Sequence, residues 1–168
     1  MTLSLHAVSV PVFVRALKAL SGLLTKAEES ATARGFDPSV LLSARLAPDM
    51  FPLTRQVQIA SDGVKGGAAR LAGVDAPVFE DTETTFAELQ ERISRTITYV
   101  EGLEPALFGG DPDQALIVKM AGQEFPFTRQ SFLFAFALPN LYFHTATAYN
   151  ILRHNGVAVG KRDFLGGL

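Results

Sequence analysis

The sequence predicts a mainly all-α fold, a four-helix bundle with a small β-hairpin just before its last helix. Three observations carry this. Long stretches place apolar residues at spacings of three and four, as helices with one buried face require. Thr85-Phe86-Ala87-Glu88 is a capping box opening the clearest of those stretches. After Gly109-Gly110 the pattern becomes two short strand-like runs around a glycine. No internal repeat or low-complexity run separates the elements, so one domain over residues 1–168 is expected.

The first helix spans about Leu5 to Arg34, with Val12, Leu17, Leu20, Leu23 and Leu24 on one side and Lys18, Lys26, Glu28 and Glu29 mostly on the other. Gly35 stops it. Pro11 either kinks this helix or marks its true start. Asp37-Pro38 reads as an N-cap and first-position proline opening a short turn through Val40-Leu41-Leu42. A second long helix is expected to start at Asp49 as its cap and to run through Val57, Ile59, Ala60, Val64 and Leu71 to Gly73. Gly63, Gly66 and Gly67 each cost about 1 kcal/mol against alanine inside it, which calls for a reason such as close approach of a neighbouring helix. The loop Val74 to Thr84, with Asp75, Glu80, Asp81 and Glu83, lacks the spacing and central glycine of a calcium loop and reads as solvated.

The third long helix carries Phe86, Leu89, Ile93, Ile97, Val100 and Leu103. Ala115–Met120 and Glu124–Phe127 form the hairpin strands around Ala121-Gly122-Gln123. The last helix starts near Thr128, contains Pro139 and ends at Leu152-Arg153-His154-Asn155 before Gly156. From Gly156 onward an extended tail is expected, anchored by Phe164 and Leu165. Its charged triplet Lys161, Arg162 and Asp163 is solvated, caps a pocket or crosses to a second subunit.

Fifteen Lys and Arg against 17 Asp and Glu give a net charge of −2 and a pI near 5.9. That charge supplies no basic surface, so neither nucleic acid nor an anionic membrane is an expected partner. Without cysteine, disulfides, thiol nucleophiles and Cys-ligated zinc are excluded. The apolar run Phe132 to Phe143 is broken by Pro139-Asn140 and falls short of the roughly 18 residues that span a bilayer. Met1 to His6 lacks the positive region of a signal peptide, which points to the cytoplasm. No Gly-x-Ser-x-Gly elbow accompanies Ser61-Asp62, so a serine hydrolase is not indicated.

Five segments together are specific: Leu46-Ala47-Pro48-Asp49-Met50-Phe51-Pro52-Leu53, Gln56-Val57-Gln58-Ile59-Ala60, Ala69-Arg70-Leu71-Ala72-Gly73-Val74, Leu138-Pro139-Asn140-Leu141-Tyr142-Phe143-His144 and Gly160-Lys161-Arg162-Asp163-Phe164-Leu165-Gly166. They resemble a bacterial family of unknown function within the DinB/YfiT-like helical-bundle superfamily, over nearly the whole chain. The resemblance implies a four-helix bundle, commonly homodimeric, with an inter-helix pocket where many relatives hold a divalent metal through three histidines. Thiol-dependent transferases and hydrolases are among those relatives. In them one ligand comes from the second helix and two from the last, as His-x-x-x-His. Here His144 falls on the second histidine of that pair and Asn140 on the first, and the second helix offers only Asp49, Gln56 and Asp62.

One imidazole with two amides is a poor zinc site, so no metal or other cofactor is expected. Zinc or nickel on a degenerate set of His144, Asp49 and Asn140 or water is the alternative. His154 lies ten residues from His144, roughly 15 Å along a helix, so the two cannot share an ion. His6 is not aimed at the site by anything in the sequence. Leu133, Ala137, Asn140, His144, Ala148 and Ile151 form one stripe, in which His144 is either a hydrogen-bonded core residue or a polar group lining an apolar pocket. Gln56 and Tyr149 are its expected neighbours. The expected ligand pocket is therefore His144, Asn140, Gln56, Asp49 and Tyr149, with no catalytic residue assigned. Phe132, Phe134, Phe136 and Phe143 belong to the core, with a dimer interface for part of them as the alternative. The leading expectation is a cytoplasmic homodimer binding a small molecule beside a degenerate metal site. The alternatives are a metal-dependent thiol transferase or hydrolase using His144, and a structural or partner-binding, stress-associated dimer.

Overall fold

The computed structural model describes residues 4–120 and 122–167. The first three residues, Ala121 of the expected hairpin turn and Leu168 lie outside them. Helix α1 spans Leu5–Arg34 from a Ser4 cap, whose hydroxyl accepts the Ala7 N–H at 3.1 Å. Pro11 is therefore internal and does not mark the start. Gly35, at φ 73°, closes the helix as a left-handed C-cap. Over its most apolar 18-residue window α1 has a mean hydropathy of 1.6, long and apolar enough to cross a membrane by length and composition. Half of that window is buried inside the fold.

Asp37 accepts the Ser39 N–H at 2.8 Å and opens the short α2, Ser39–Ser43. Helix α3 spans Leu53–Ala72, three residues later than a start capped by Asp49. Its N-cap is Pro52 in extended conformation, and Asp49 sits in an exposed turn. Two prolines, Pro48 and Pro52, hold this segment out of helix, because each disfavours helical backbone in the residue before it. Helix α4, Phe86–Glu101, carries the expected capping box, Thr85 accepting from Glu88 N–H and Glu88 from Thr85 N–H.

A 3₁₀ turn at Pro105–Phe108 leads to β1, Ala115–Met120, paired antiparallel with β2, Gln123–Thr128, in the register Ala115 opposite Thr128. Val118 turns into the core while Ile117 faces out, the period-two alternation of a half-buried strand. The last helix begins with α5, Arg129–Ser131, capped by Thr128, passes through a π-helical turn at Phe132–Ala137 and continues as α6, Leu138–His154. Pro139 accounts for the π turn. It has no N–H to give the preceding turn and its ring crowds the carbonyl there, and widening the turn relieves both.

Helix α1 packs on α4 and α6, and α3 packs on both as well, enclosing one core. Phe132 lies inside that core and stacks on Phe136 at 5.8 Å, whereas Phe134 and Phe143 point outward. A methyl added to Gly63 would lie 3.2 Å from Asn140 Nδ2, the tightest approach of α6 to a glycine of α3. One added to Gly67 would meet Phe13 and Ala137 at ordinary contact distance, and Gly66 faces its own Arg70. The expected close helix approach thus holds at Gly63 but is not a requirement at the other two.

The C-terminal segment is ordered differently from an extended tail. Lys161–Phe164 forms a helical turn, α7, capped by Asp163 accepting the Gly160 N–H at 2.8 Å. Asp163 also pairs with Lys26 at 2.6 Å, and Arg15 donates two hydrogen bonds to the Leu165 carbonyl, so the segment lies across α1.

Candidate functional site

His144 projects from the middle of α6 toward the first turn of α3. It is 8% exposed, and its Nδ1 lies 2.7 Å from Gln56 Oε1. Gln56, 2% exposed, donates its Nε2 to the Phe51 carbonyl at 3.0 Å, so its oxygen is the end left to receive a proton. Nδ1 of His144 is therefore the protonated nitrogen and donates, and Nε2 keeps its lone pair. Burial is the main cause holding the His144 pKa below its ordinary value, and the nearby Arg55 charge adds to it. The imidazole is thus neutral at physiological pH, with an accepting nitrogen. Among the described residues Nε2 has no hydrogen-bond partner, yet it is not among the buried polar atoms left unsatisfied, so it keeps solvent access.

Asn140, one turn earlier on α6, shares this face and is half-buried. Its amide makes no hydrogen bond among the described residues, and only Gly63 lets it lie so close to α3. Phe143 packs edge-on against His144 at 5.2 Å, and the Arg55 guanidinium lies 5.9 Å from the Phe51 ring. Both phenylalanines are more than half exposed. Two of the remaining expected residues are elsewhere. Asp49 is exposed in the turn before α3. Tyr149, five residues and roughly 140° around the helix from His144, packs on Phe164 of α7 at 6.0 Å. His6 lies edge-on to Phe108 at 5.1 Å.

A second polar centre, absent from the sequence reading, joins α3, α4 and the acidic loop. The Arg92 side chain is 1% exposed and contacts Glu83 at 2.8 Å, Asp62 at 2.9 Å and Asp81 at 3.0 Å, with the Glu80 carbonyl at 3.0 Å. Asp81 also pairs with Arg55, and Lys65 pairs with Asp62 at 2.9 Å while lying 4.1 Å over the Phe79 ring. The loop is therefore pinned, not solvated as expected. Burial pushes Glu83 up, but hydrogen bonds from Arg92 and Gln58 more than reverse it and hold its pKa below the usual carboxylate value.

Among the described residues no three His, Asp, Glu or Cys side chains gather as a metal site. The donor set at His144 does not suit a three-histidine centre, because Gln56 Oε1 is engaged by His144 and its Nε2 by Phe51, leaving one imidazole and one amide. Two cavities flank α1, of about 680 and 400 Å³, and none of the five expected site residues lines either.

Long helices around one core, with a hairpin inserted before the last of them and His144 of that helix bonded to the second long helix, are consistent with a DinB-like helical fold, and a solved relative bears this out. The chain belongs to the family described as a domain of unknown function, DUF1993, whose model matches residues 5–165. It is similar to a solved structure described as a DinB family member protein from Shewanella denitrificans, at 45% identity over 98% of this chain and 93% of that one, with a TM-score of 0.89. No curated protein matches it.

Proposed function

We propose that this chain is a cytoplasmic, homodimeric member of the DinB-like class that binds a small molecule at His144 and Asn140 without a three-ligand metal. The observation that carries the reading is the Gln56–His144 hydrogen bond. It sets the ring so that a neutral nitrogen with a free lone pair points away from the bond, which suits a ligand that donates a hydrogen bond. Asn140 adds an amide with both donor and acceptor capacity one turn away. Phe143, edge-on to His144, supplies an apolar wall. The outward aromatic side chains of the last helix, Phe134 at 50% and Phe143 at 59% exposure, favour burial against a second copy. The test is native mass spectrometry of protein purified without an affinity tag. A co-purifying small-molecule mass present in the wild type and lost in both His144→Ala and Asn140→Ala supports the reading. An adduct unaffected by both variants contradicts it.

A further inference from the structure

The two cavities on α1 meet at Arg15, which lines both. The larger one carries three cations, Arg15, Lys18 and Lys26, against two carboxylates, Glu101 and Asp163. Lys26 pairs with Asp163 at 2.6 Å and Lys18 with Glu101 at 3.2 Å. Arg15 is the cation left over, and among the described residues no carboxylate pairs with it. Its Nε and Nη2 donate to the Leu165 carbonyl at 3.1 and 2.8 Å, which fixes the guanidinium in place without neutralising it. A guanidinium immobilised in this way, with no carboxylate partner among the described residues, is preorganised for an anion, since little side-chain freedom remains to be lost on binding. On its other side the smaller cavity is floored by Leu20 and Leu23 and closed by Phe164 and Leu165. Leu20 and Leu23 are each 1% exposed, so this floor belongs to the core surface and is apolar throughout.

We propose that the paired grooves along α1 bind an amphipathic carboxylate, its head on the Arg15 guanidinium and its hydrocarbon chain over Leu20 and Leu23. Charge complementarity selects the occupant: a guanidinium without a carboxylate partner among the described residues sits at the junction, the apolar channel runs from it, and both volumes lie in the range of small-ligand sites. Lys18 sits beside Arg15 and, among the described residues, is held by one exposed ion pair of the weak kind that exchanges readily for a ligand head group. This site is independent of His144, which lines neither cavity.

The experiment is isothermal titration of the full chain with decanoate, and with decanol and decyltrimethylammonium as neutral and cationic chain-matched probes. Decanoate is expected to bind once per chain, at least about tenfold more tightly than decanol, the worth of one charge-assisted contact. Arg15→Gln removes that preference. Because Arg15→Gln also releases Leu165, Ala16→Phe serves as a second variant that fills the smaller cavity, leaves the guanidinium in place and abolishes binding. His144→Ala leaves the titration unchanged. Equal binding of decanoate and decanol, decanoate binding that survives both groove variants, or its loss in His144→Ala overturns the proposal. So does absence of decanoate binding, including the case in which Arg15→Gln instead shifts the sedimentation coefficient and marks the groove as a contact between copies.

Discussion

Replacing His144 and Asn140 separately tests how each is held: His144 by its bond to Gln56, with Nε2 left over for a ligand, and Asn140 by no hydrogen bond among the described residues. In His144→Ala the hydrogen bond to Gln56 is lost, a net contribution of about 1 kcal/mol. Gln56 is 2% exposed, so its Oε1 is left desolvated without a donor, a further cost of about 1–3 kcal/mol. The expected loss is therefore about 2–4 kcal/mol. Asn140→Ala removes no hydrogen bond among the described residues, so its expected change is within about 0.5 kcal/mol or stabilising. Urea denaturation followed by far-ultraviolet circular dichroism at neutral pH measures both, provided the m-values match the wild type. The reasoning fails if Asn140→Ala costs 2 kcal/mol or more, on the order of a satisfied buried amide, because Asn140 would then be a core residue with nothing to spare for a ligand.

Arg92→Met removes the charge-assisted hydrogen bond to the largely buried Glu83, while Asp62 and Asp81, 40% and 38% exposed, regain water; the expected loss is about 2–3 kcal/mol by the same denaturation assay. Because the folded Glu83 pKa is depressed, its contribution is complete above the ordinary carboxylate value of 4.5 and disappears as pH falls through the folded value, so acid unfolding of the wild type is steeper than that of Arg92→Met. The His144 pKa is also depressed, so its stabilisation is complete above 6.5 and lost as pH falls below that value; the stability difference between wild type and His144→Ala narrows from pH 7.5 to 5.5. Gly67→Ala, with room for its methyl, raises stability by about 1 kcal/mol through helix propensity, read as a higher denaturation midpoint.

Much of the architecture was legible because its determinants are local. The Thr85 capping box, the glycine C-caps at Gly35 and Gly73, and the glycine between the two strand-like runs act within a few residues, and each element falls where those signals place it. Sequence alone places the start of α3 too early, because Asp49 has the right side chain for a cap but stands between Pro48 and Pro52, whose backbone restrictions outweigh it. At the site, the Gln56–His144 pairing was foreseeable from two polar residues on apolar stripes. Tyr149 was misplaced, since five residues along a helix turn a side chain well away from its neighbour's face. The Arg92 centre carried a readable signal: Arg92 and Thr96 occupy the spacing that joins Leu89 to Val100, a cation on a buried stripe just after an acidic loop. What that spacing cannot convey is which carboxylates fold back to meet it, because Asp62 comes from another helix. The α1 grooves are equally non-local, formed only where α7 lies across α1.

Metal content tests the central claim most directly. Protein purified without chelator or affinity tag, analysed by elemental mass spectrometry beside His144→Ala, is expected to carry only substoichiometric zinc, nickel or iron, at the same level in both. Close to one equivalent of a single metal in the wild type, vanishing in His144→Ala, would contradict a metal-free ligand site and make His144 Nε2 a metal ligand instead.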